Sequence, residues 1–302
     1  MLVDTGPGGP NEEAMVQNSE NTVGQLVLVA TPLGNLGDIS RRALELLEIA
    51  DLIYCEDTRR SSTLFSAHAI AVNGRLRALH EHNEASLCDL VVAQVAGGAT
   101  VVVISDAGTP GISDPGSRVV AAVAAAGLVV TTAPGPSAVV AALTISGLSS
   151  ERFAMEGFMP RKASEREALY AQWMHEPRTI VFYESPQRLA ATLNEMVGPF
   201  GARRACVARE ITKLHEEVLR GTVAEVANHV NAREVLGEIV VVLEGNTEVE
   251  VIDDELIRAA LRDQVDAGAS TRDAVSFVAE SLGVAHRVVY QMALALRADD
   301  AL

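Results

Sequence analysis

Aromatic side chains are scarce in this chain of 302 residues: they make up 4% of it, with a single Trp. A buried core must therefore be assembled from Val, Leu, Ile and Ala, and a hydrophobic share of 48% is ample for that. Basic residues are also few, 24 Lys and Arg against 40 Asp and Glu, for a net charge of −16. That balance excludes adhesion to nucleic acid or anionic membrane through bulk charge, though not a nucleic acid gripped at a local basic patch. Lysine is nearly missing. Only Lys162 and Lys213 occur, so Arg supplies 22 of the 24 basic residues. Arg offers phosphate a planar fork, and a GC-rich genome produces the same bias.

Three cysteines, Cys55, Cys88 and Cys206, lie far apart with no C-x-x-C spacing, and are expected as buried thiols of a reducing compartment. No apolar run reaches the ~18 residues of a membrane span. The first residues lack the basic-then-apolar order of a signal peptide, so a soluble, cytoplasmic protein is the expectation. The P-loop, G-x-G-x-x-G, H-E-x-x-H and G-x-S-x-G patterns are all missing, which argues against a nucleoside triphosphatase, an ordinary dinucleotide enzyme, a zinc protease and a serine hydrolase. His80 and His82 share a strand face with Glu81 and Glu84 nearby, but no third or fourth ligand is evident, so no metal site is expected.

What is present is organised around Ser105 to Gly116, twelve residues holding three glycines and two prolines. The loop follows an apolar run, Val101 to Ile104, that reads as a buried strand. It precedes an Ala/Val-rich stretch, Ser117 to Ala126, that reads as a helix, with Asp114 as its N-cap and Pro115 at its first position. Loops at the carboxyl ends of strands are where open α/β sheets bind ligands. Gly lets backbone approach a ligand closely, and Asp106 offers a fixed carboxylate acceptor.

Residues 1–24 show no periodicity and are read as a disordered tail. From Leu26 the pattern alternates. Strands are expected at 26–30, 52–55, 76–79, 101–104 and 128–132, with helices at 39–50, up to about 96, at 117–126 and at 138–146. The loops after Ala30, Ile104 and Thr132 are turn-rich and are expected to converge on one edge of a mostly parallel sheet. This first domain spans 25–147. A second α/β domain, 148–248, is read from strands at 153–155, 179–183, 205–208, 217–219 and 239–243 and helices at 164–175, 186–197 and 223–230. Its later strands lack long crossovers, so its sheet is expected to be mixed. Residues 253–302 read as a small helical appendage, with helices at about 270–282 and 285–296 joined at Gly283. The outline is that of a helix-turn-helix, with too few basic residues for DNA reading.

Polar residues cluster at strand ends. Glu56-Asp57-Thr58-Arg59 ends one strand, and a local ion pair or helix cap competes there with a catalytic role. Phe182-Tyr183-Glu184-Ser185 ends another, with Glu184 as a helix cap or a ligand contact. Arg161, Lys162 and Arg166, and Arg203, Arg204, Arg209 and Lys213, form two candidate anion-binding patches, each of which also reads as ordinary surface charge.

Seven motifs then stand in order: Thr31 to Asp38, Glu56 to Arg59, His82-Asn83-Glu84, Ser105 to Gly111, Pro134 to Ser137, Phe182 to Ser185 and Gly237-Glu238. Together they resemble the bacterial 16S ribosomal RNA (cytidine-2′-O)-methyltransferase family of the tetrapyrrole methylase-like superfamily, over about residues 25–246. The resemblance implies a two-domain α/β tetrapyrrole methylase-like fold, to which the residue pattern adds the small helical C-terminal appendage. It also implies a homodimer that binds S-adenosylmethionine in the interdomain cleft and methylates a cytidine ribose in the decoding region of the small ribosomal subunit. By that resemblance the donor contacts Leu33, Gly34, Asp106, Ala107, Gly108, Thr109, Ser137, Tyr183, Glu184, Gly237 and Glu238. Candidates for handling the weakly acidic hydroxyl are Asp57, His82 and Glu184, with Arg59 and Arg209 on phosphate and Arg161 and Lys162 toward RNA. Two rivals stay open: a tetrapyrrole methyltransferase of the same superfamily, and a non-enzymatic ribosome-assembly or nucleic-acid-binding protein using the C-terminal helices.

Overall fold

The computed structural model describes residues 24–246, 254–282 and 284–299. The expected tail before Gly24 and the joint at Gly283 lie outside the described residues. The chain forms two compact units, Met1–Gly245 and Asn246–Leu302.

In the first unit, five strands make a parallel sheet: β1 (Gln25–Val29), β2 (Leu52–Cys55), β3 (Leu76–Ala78), β4 (Thr100–Ile104) and β5 (Val129–Ala133), in the order β3-β2-β4-β1-β5. Apolar runs without a polar face are what a sheet covered on both sides requires. Val27, Val29, Ile53, Cys55, Val102 and Ile104 face one way, onto Ala43 and Leu47 of helix α1 (Arg41–Ile49) and Phe65 of α2 (Thr58–Ala67). Leu26, Tyr54, Val101 and Val103 face the other, onto α3 (Glu84–Ala96) and α4 (Ser117–Ala125). The period-2 alternation of a strand delivers adjacent residues to opposite cores.

A second sheet has the order β6-β7-β10-β8-β9, from β6 (Phe153–Phe158), β7 (Thr179–Glu184), β8 (Arg204–Arg209), β9 (Glu217–Thr222) and β10 (Ile239–Leu243). Only β6 and β7 pair in parallel; β10 runs against both β7 and β8. The sheet is therefore mixed. One face carries α6 (Ala163–Trp173), α7 (Pro186–Phe200) and α8 (Val223–Asn231) over Ile180, Phe182, Val207 and Val241. The other face receives Ala142 and Leu143 of α5 (Ala138–Ser146) against Val181, Cys206 and Val240. Thus α5 begins at the end of the first sheet and packs on the second. The second unit holds three helices, α9 (Asp254–Asp266), α10 (Thr271–Leu282) and α11 (His286–Asp299), around Ile257, Leu261, Val275, Val278 and Val289.

Three local expectations are corrected. No element is expected between Arg60 and Leu76, yet α2 occupies 58–67. Its Ser- and Thr-rich turns have poor helix propensity, but Asp57 caps it by accepting the N–H of Arg59, and Phe65 anchors it in the core. The helix expected to stop at Val197 continues through Gly198 and Pro199 to Phe200, because Phe200 is buried against Tyr170 and Trp173. Asp114 does not cap α4. The N-cap is Gly116, at φ 131°, with no side-chain cap. The cap comes from the buried Glu84, whose Oε1 accepts the N–H groups of Gly116 (2.9 Å), Arg118 (2.8 Å) and Val119 (3.4 Å). A carboxylate at a helix N-terminus is favoured by both the free N–H groups and the helix dipole. Glu84→Ala is therefore expected to lower unfolding stability by about 2–3 kcal/mol, the scale of buried hydrogen bonds to a charged group. Urea denaturation measures this, and Glu84→Gln should retain part of it.

Candidate active site

Loops from the carboxyl ends of β1, β2, β4, β5 and β7 meet the start of β10. Since β10 opposes β7 in direction, with Ile239 paired to Glu184, its first residues lie beside the last residues of β7. Together these segments enclose a cleft of about 410 Å³. Its apolar walls include Leu33, Ile112, Phe158, Ile211 and Val240.

Backbone ties hold the loops in register. Thr31 N–H donates to the Gly108 carbonyl (2.8 Å) and Gly108 N–H donates back to Thr31 (3.0 Å). Thr31 Oγ1 donates to the Ser105 carbonyl, and Thr109 Oγ1 to that of Pro136. The expected convergence of the loops after Ala30, Ile104 and Thr132 is thus observed. Gly108 sits at φ +83°, and a Cβ there would come within 3.2 Å of Leu33 Cδ2. Across the cleft Gly237, at φ +93°, would drive a Cβ into the Glu210 side chain at 2.4 Å. Glu210 Oε1 in turn accepts from Glu238 N–H (2.9 Å) and Lys213 Nζ (2.8 Å), and Lys213 also reaches Glu238 (3.1 Å).

The cleft is lined by five carboxyl groups, Glu56, Asp106, Asp114, Glu184 and Glu238, and one basic side chain, Arg60. Asp106 is pinned by Asp57 N–H (3.1 Å) and Arg60 (3.2 Å). Glu184 is buried and accepts from Ser185 N–H (2.7 Å) and Thr192 Oγ1 (2.6 Å), with Arg188 at 3.2 Å. Among the described residues no cation is paired with Asp114. Burial, then the charge of Glu56, pushes its carboxyl up to about 7, and Asp106 and Glu238 add to this. Burial followed by the charge of Asp106 also raises Glu56. Burial, helped by Asp114, lifts the Tyr183 hydroxyl to about 12, so it stays protonated.

Of the donor contacts expected from the sequence, Leu33, Asp106, Ala107, Gly108, Thr109, Ser137, Tyr183, Glu184, Gly237 and Glu238 line the cleft. Gly34 does not; it lies under Lys213, whose Cγ would be 2.2 Å from a Cβ. Asp57 reaches the site through its backbone, while its carboxylate holds Arg59 (3.1 Å), the chief cause of its lowered proton affinity. Arg59 and His82 are exposed and line no part of the cleft. Arg209 is paired with Glu217 (3.2 Å), Lys162 with Glu165 (2.9 Å) and Arg166 with Glu195 (2.6 Å), while Arg161 is exposed. The sequence reading missed Glu56, Arg60 and Asp114 as lining residues. Glu56 is adjacent to a chosen residue, and Asp114 is inside the organising loop but mistaken for a cap. Among the described residues no cluster suited to a metal ion occurs, and no helix is long and apolar enough to cross a membrane.

Comparison with known proteins follows the same lines. A family model described as Tetrapyrrole (Corrin/Porphyrin) Methylases matches residues 25–227. A Mycobacterium tuberculosis (strain CDC 1551 / Oshkosh) protein named Ribosomal RNA small subunit methyltransferase I is 47% identical over 276 residues, covering 91% of this chain and 96% of that protein. This chain belongs to the ribosomal RNA small subunit methyltransferase I family. An Escherichia coli O157:H7 member is 40% identical over 285 residues, 92% of this chain and 97% of its own. The fold is shared with a diphthine synthase (TM-score 0.55, 15% identity, 73% of this chain and 89% of that one). It is also shared with a cobalt precorrin-4 methyltransferase (TM-score 0.54, 16% identity, 76% and 98%).

The family's methyl donor is S-adenosylmethionine, and the cleft suits it. Five carboxyls against one guanidinium favour a ligand carrying a sulfonium and an ammonium, the apolar walls suit an adenine, and positive-φ glycines keep Cβ atoms out of the space. Gly108→Ala is expected to cost about 1–2 kcal/mol in stability through its left-handed backbone and to weaken donor binding, as thermal melts and calorimetry would report. A second expectation concerns pH. The folded Asp114 carboxyl holds its proton more tightly than its ordinary 3.8. Its contribution to stability is therefore present at low pH and is lost as pH rises from about 4 to about 7. The melting temperature of Asp114→Asn minus that of wild type should grow across that window.

Proposed function

We propose that this chain transfers a methyl group from S-adenosylmethionine to the 2′-oxygen of a cytidine in the decoding region of 16S ribosomal RNA, acting on the small ribosomal subunit as a homodimer. The observation that carries this reading is an acid-lined cleft at the strand ends of a chain that is 47% identical to a ribosomal RNA small subunit methyltransferase I across nearly its whole length. Donor-side residues are those lining the cleft, from Leu33 to Glu238. Asp57, His82, Glu184 and Arg59 are the sequence-derived candidates on the acceptor side. The lobes 25–147 and 148–248 act together around the cleft, and 253–302 is an appendage.

Bound S-adenosylmethionine supplies a methyl carbon already activated by its sulfonium charge. The chain's task is then alignment of an in-line displacement, since holding reactants close and oriented removes much of the entropic barrier. The Thr31–Gly108 ties and the Arg60–Asp106 pair hold together the loops that form the cleft. The acidic interior also sorts the reactants. RNA phosphates are repelled from the cleft and must be held at its rim, where Arg161 and Lys162 follow the end of β6 and Arg209 would exchange Glu217 for phosphate.

Small subunits from cells lacking this chain, incubated with enzyme and labelled donor and mapped by mass spectrometry, should gain one 2′-O-methylcytidine. Absence of donor uptake, or a methyl on a base, sinks the reading. The double variant Arg161→Ala/Lys162→Ala should raise KM for subunits severalfold and reduce the salt dependence of binding, with donor affinity unchanged.

A further inference from the structure

The geometry points to Asp114 as the group that takes the proton from the attacking ribose hydroxyl. This rests on the reading above and departs from the acceptor-side candidates that the sequence offers.

Four carboxylates at or beside the cleft are already engaged. Asp57 holds Arg59, Asp106 holds Arg60 and the Asp57 N–H, Glu184 holds Thr192, Ser185 and Arg188, and Glu238 holds Lys213. Each of the four thus already has a cation at hydrogen-bonding distance. Glu56 is exposed and faces Arg60. Asp114 alone among the lining carboxyls lies half-buried with no basic partner.

Its placement is built into the loop. Gly111 (φ 81°), Ser113 (φ 61°) and Gly116 (φ 131°) all have left-handed backbone, and Ser113 does so without the freedom of glycine. Such strain persists only where the surroundings enforce it. Here Gly111 N–H donates to the Pro115 carbonyl (3.2 Å), and Gly116 N–H is held by Glu84. The result turns Asp114 into the cleft. Glu84 is thus a positioning residue.

The groups facing Asp114 explain its proton affinity. Glu56 from the end of β2, Asp106 from its own loop and Glu238 before β10 all disfavour its charge. Tyr183 at the end of β7 feels the same carboxylate. The Ser105 hydroxyl donates to the carbonyls of Ala107 (3.3 Å) and Gly108 (3.2 Å), and its nearness to Asp114 offsets part of the rise. A base with a value of about 7 is matched to neutral pH.

In the step itself the ribose oxygen bonds to the methyl carbon as the carbon–sulfur bond breaks. That electron pair stays on sulfur, leaving a neutral thioether, and the O–H proton passes to Asp114, which later releases it to water.

Single-turnover methyl transfer to small subunits at saturating donor, from pH 5.5 to 8.5, tests this in wild type, Asp114→Asn and Asp114→Glu. The wild-type rate should rise about tenfold per pH unit up to the value Asp114 takes beside the bound sulfonium, which lies below its value of about 7 in the empty cleft, and level off above it. Asp114→Asn should be ~10²–10⁴-fold slower at saturating donor with that limb gone, while calorimetry reports any change in donor Kd separately. Asp114→Glu should recover part of the rate with a displaced limb. A wild-type-like profile in Asp114→Asn overturns the inference, as does a loss confined to donor Kd. Should Asp114→Asn fail to fold, an unmoved limb in Asp114→Glu overturns it equally. Wild type that leaves ribose unmethylated overturns the proposed function instead, so the two failures are told apart.

Discussion

Three backbone N–H groups at the start of α4 converge on one buried oxygen, Glu84 Oε1, and much of the site depends on that convergence. The segment from Gly111 to Gly116 is short, strained and rich in residues that resist regular structure. Left to itself it would sample many shapes. Tied at one end through Gly108 to Thr31 and at the other through Gly116 to Glu84, it has one. Glu84 comes from the His82-Asn83-Glu84 segment, whose Asn83 side chain also bonds His80 N–H (2.8 Å) and the Ala78 carbonyl (3.1 Å). The motif that supplies the candidate His82 is also a joint that secures two loops to one another.

The second constraint is electrostatic. Crowding carboxyls at one sheet edge is unfavourable unless something compensates, and compensation is unequal here. Asp106, Glu184 and Glu238 are matched by Arg or Lys at hydrogen-bonding distance. Glu56 and Asp114 are not, and the half-buried Asp114 is left to be satisfied by a proton, or by a cationic ligand. The same field that welcomes a sulfonium keeps polyanions outside, so donor and acceptor approach from environments of opposite preference. An overall acidic protein that modifies RNA is consistent with this division.

The fold was legible because both sheets are buried on both faces. Runs such as Val101–Ile104 and Ile239–Leu243 are unbroken by polar residues, and turn chemistry marks their ends. The loops at the active edge were legible for the same reason. What escaped was non-local. The Asp114-Pro115 pair satisfies every local rule for a helix start, yet the cap arrives from Glu84, 32 residues earlier in the chain, and no local rule sees it. Helix α2 escaped because its Ser and Thr residues say loop while Phe65 and Asp57 say helix. The charged side chains were the hardest to read. Arg59, Arg166 and Arg209 stand in positions that suggest phosphate, and in the chain alone each is paired with a carboxylate whose approach is set by tertiary structure.

The near absence of lysine has a practical consequence. The Lys213 ammonium is enclosed between Glu210 and Glu238, whereas Lys162 stands 77% exposed with one carboxylate neighbour, four residues beyond the cleft-lining Phe158. Among the side chains, an amine-directed fluorophore therefore meets a single open target beside the cleft. The unaltered protein thus offers an attachment point from which the arrival of a large acceptor could be followed optically.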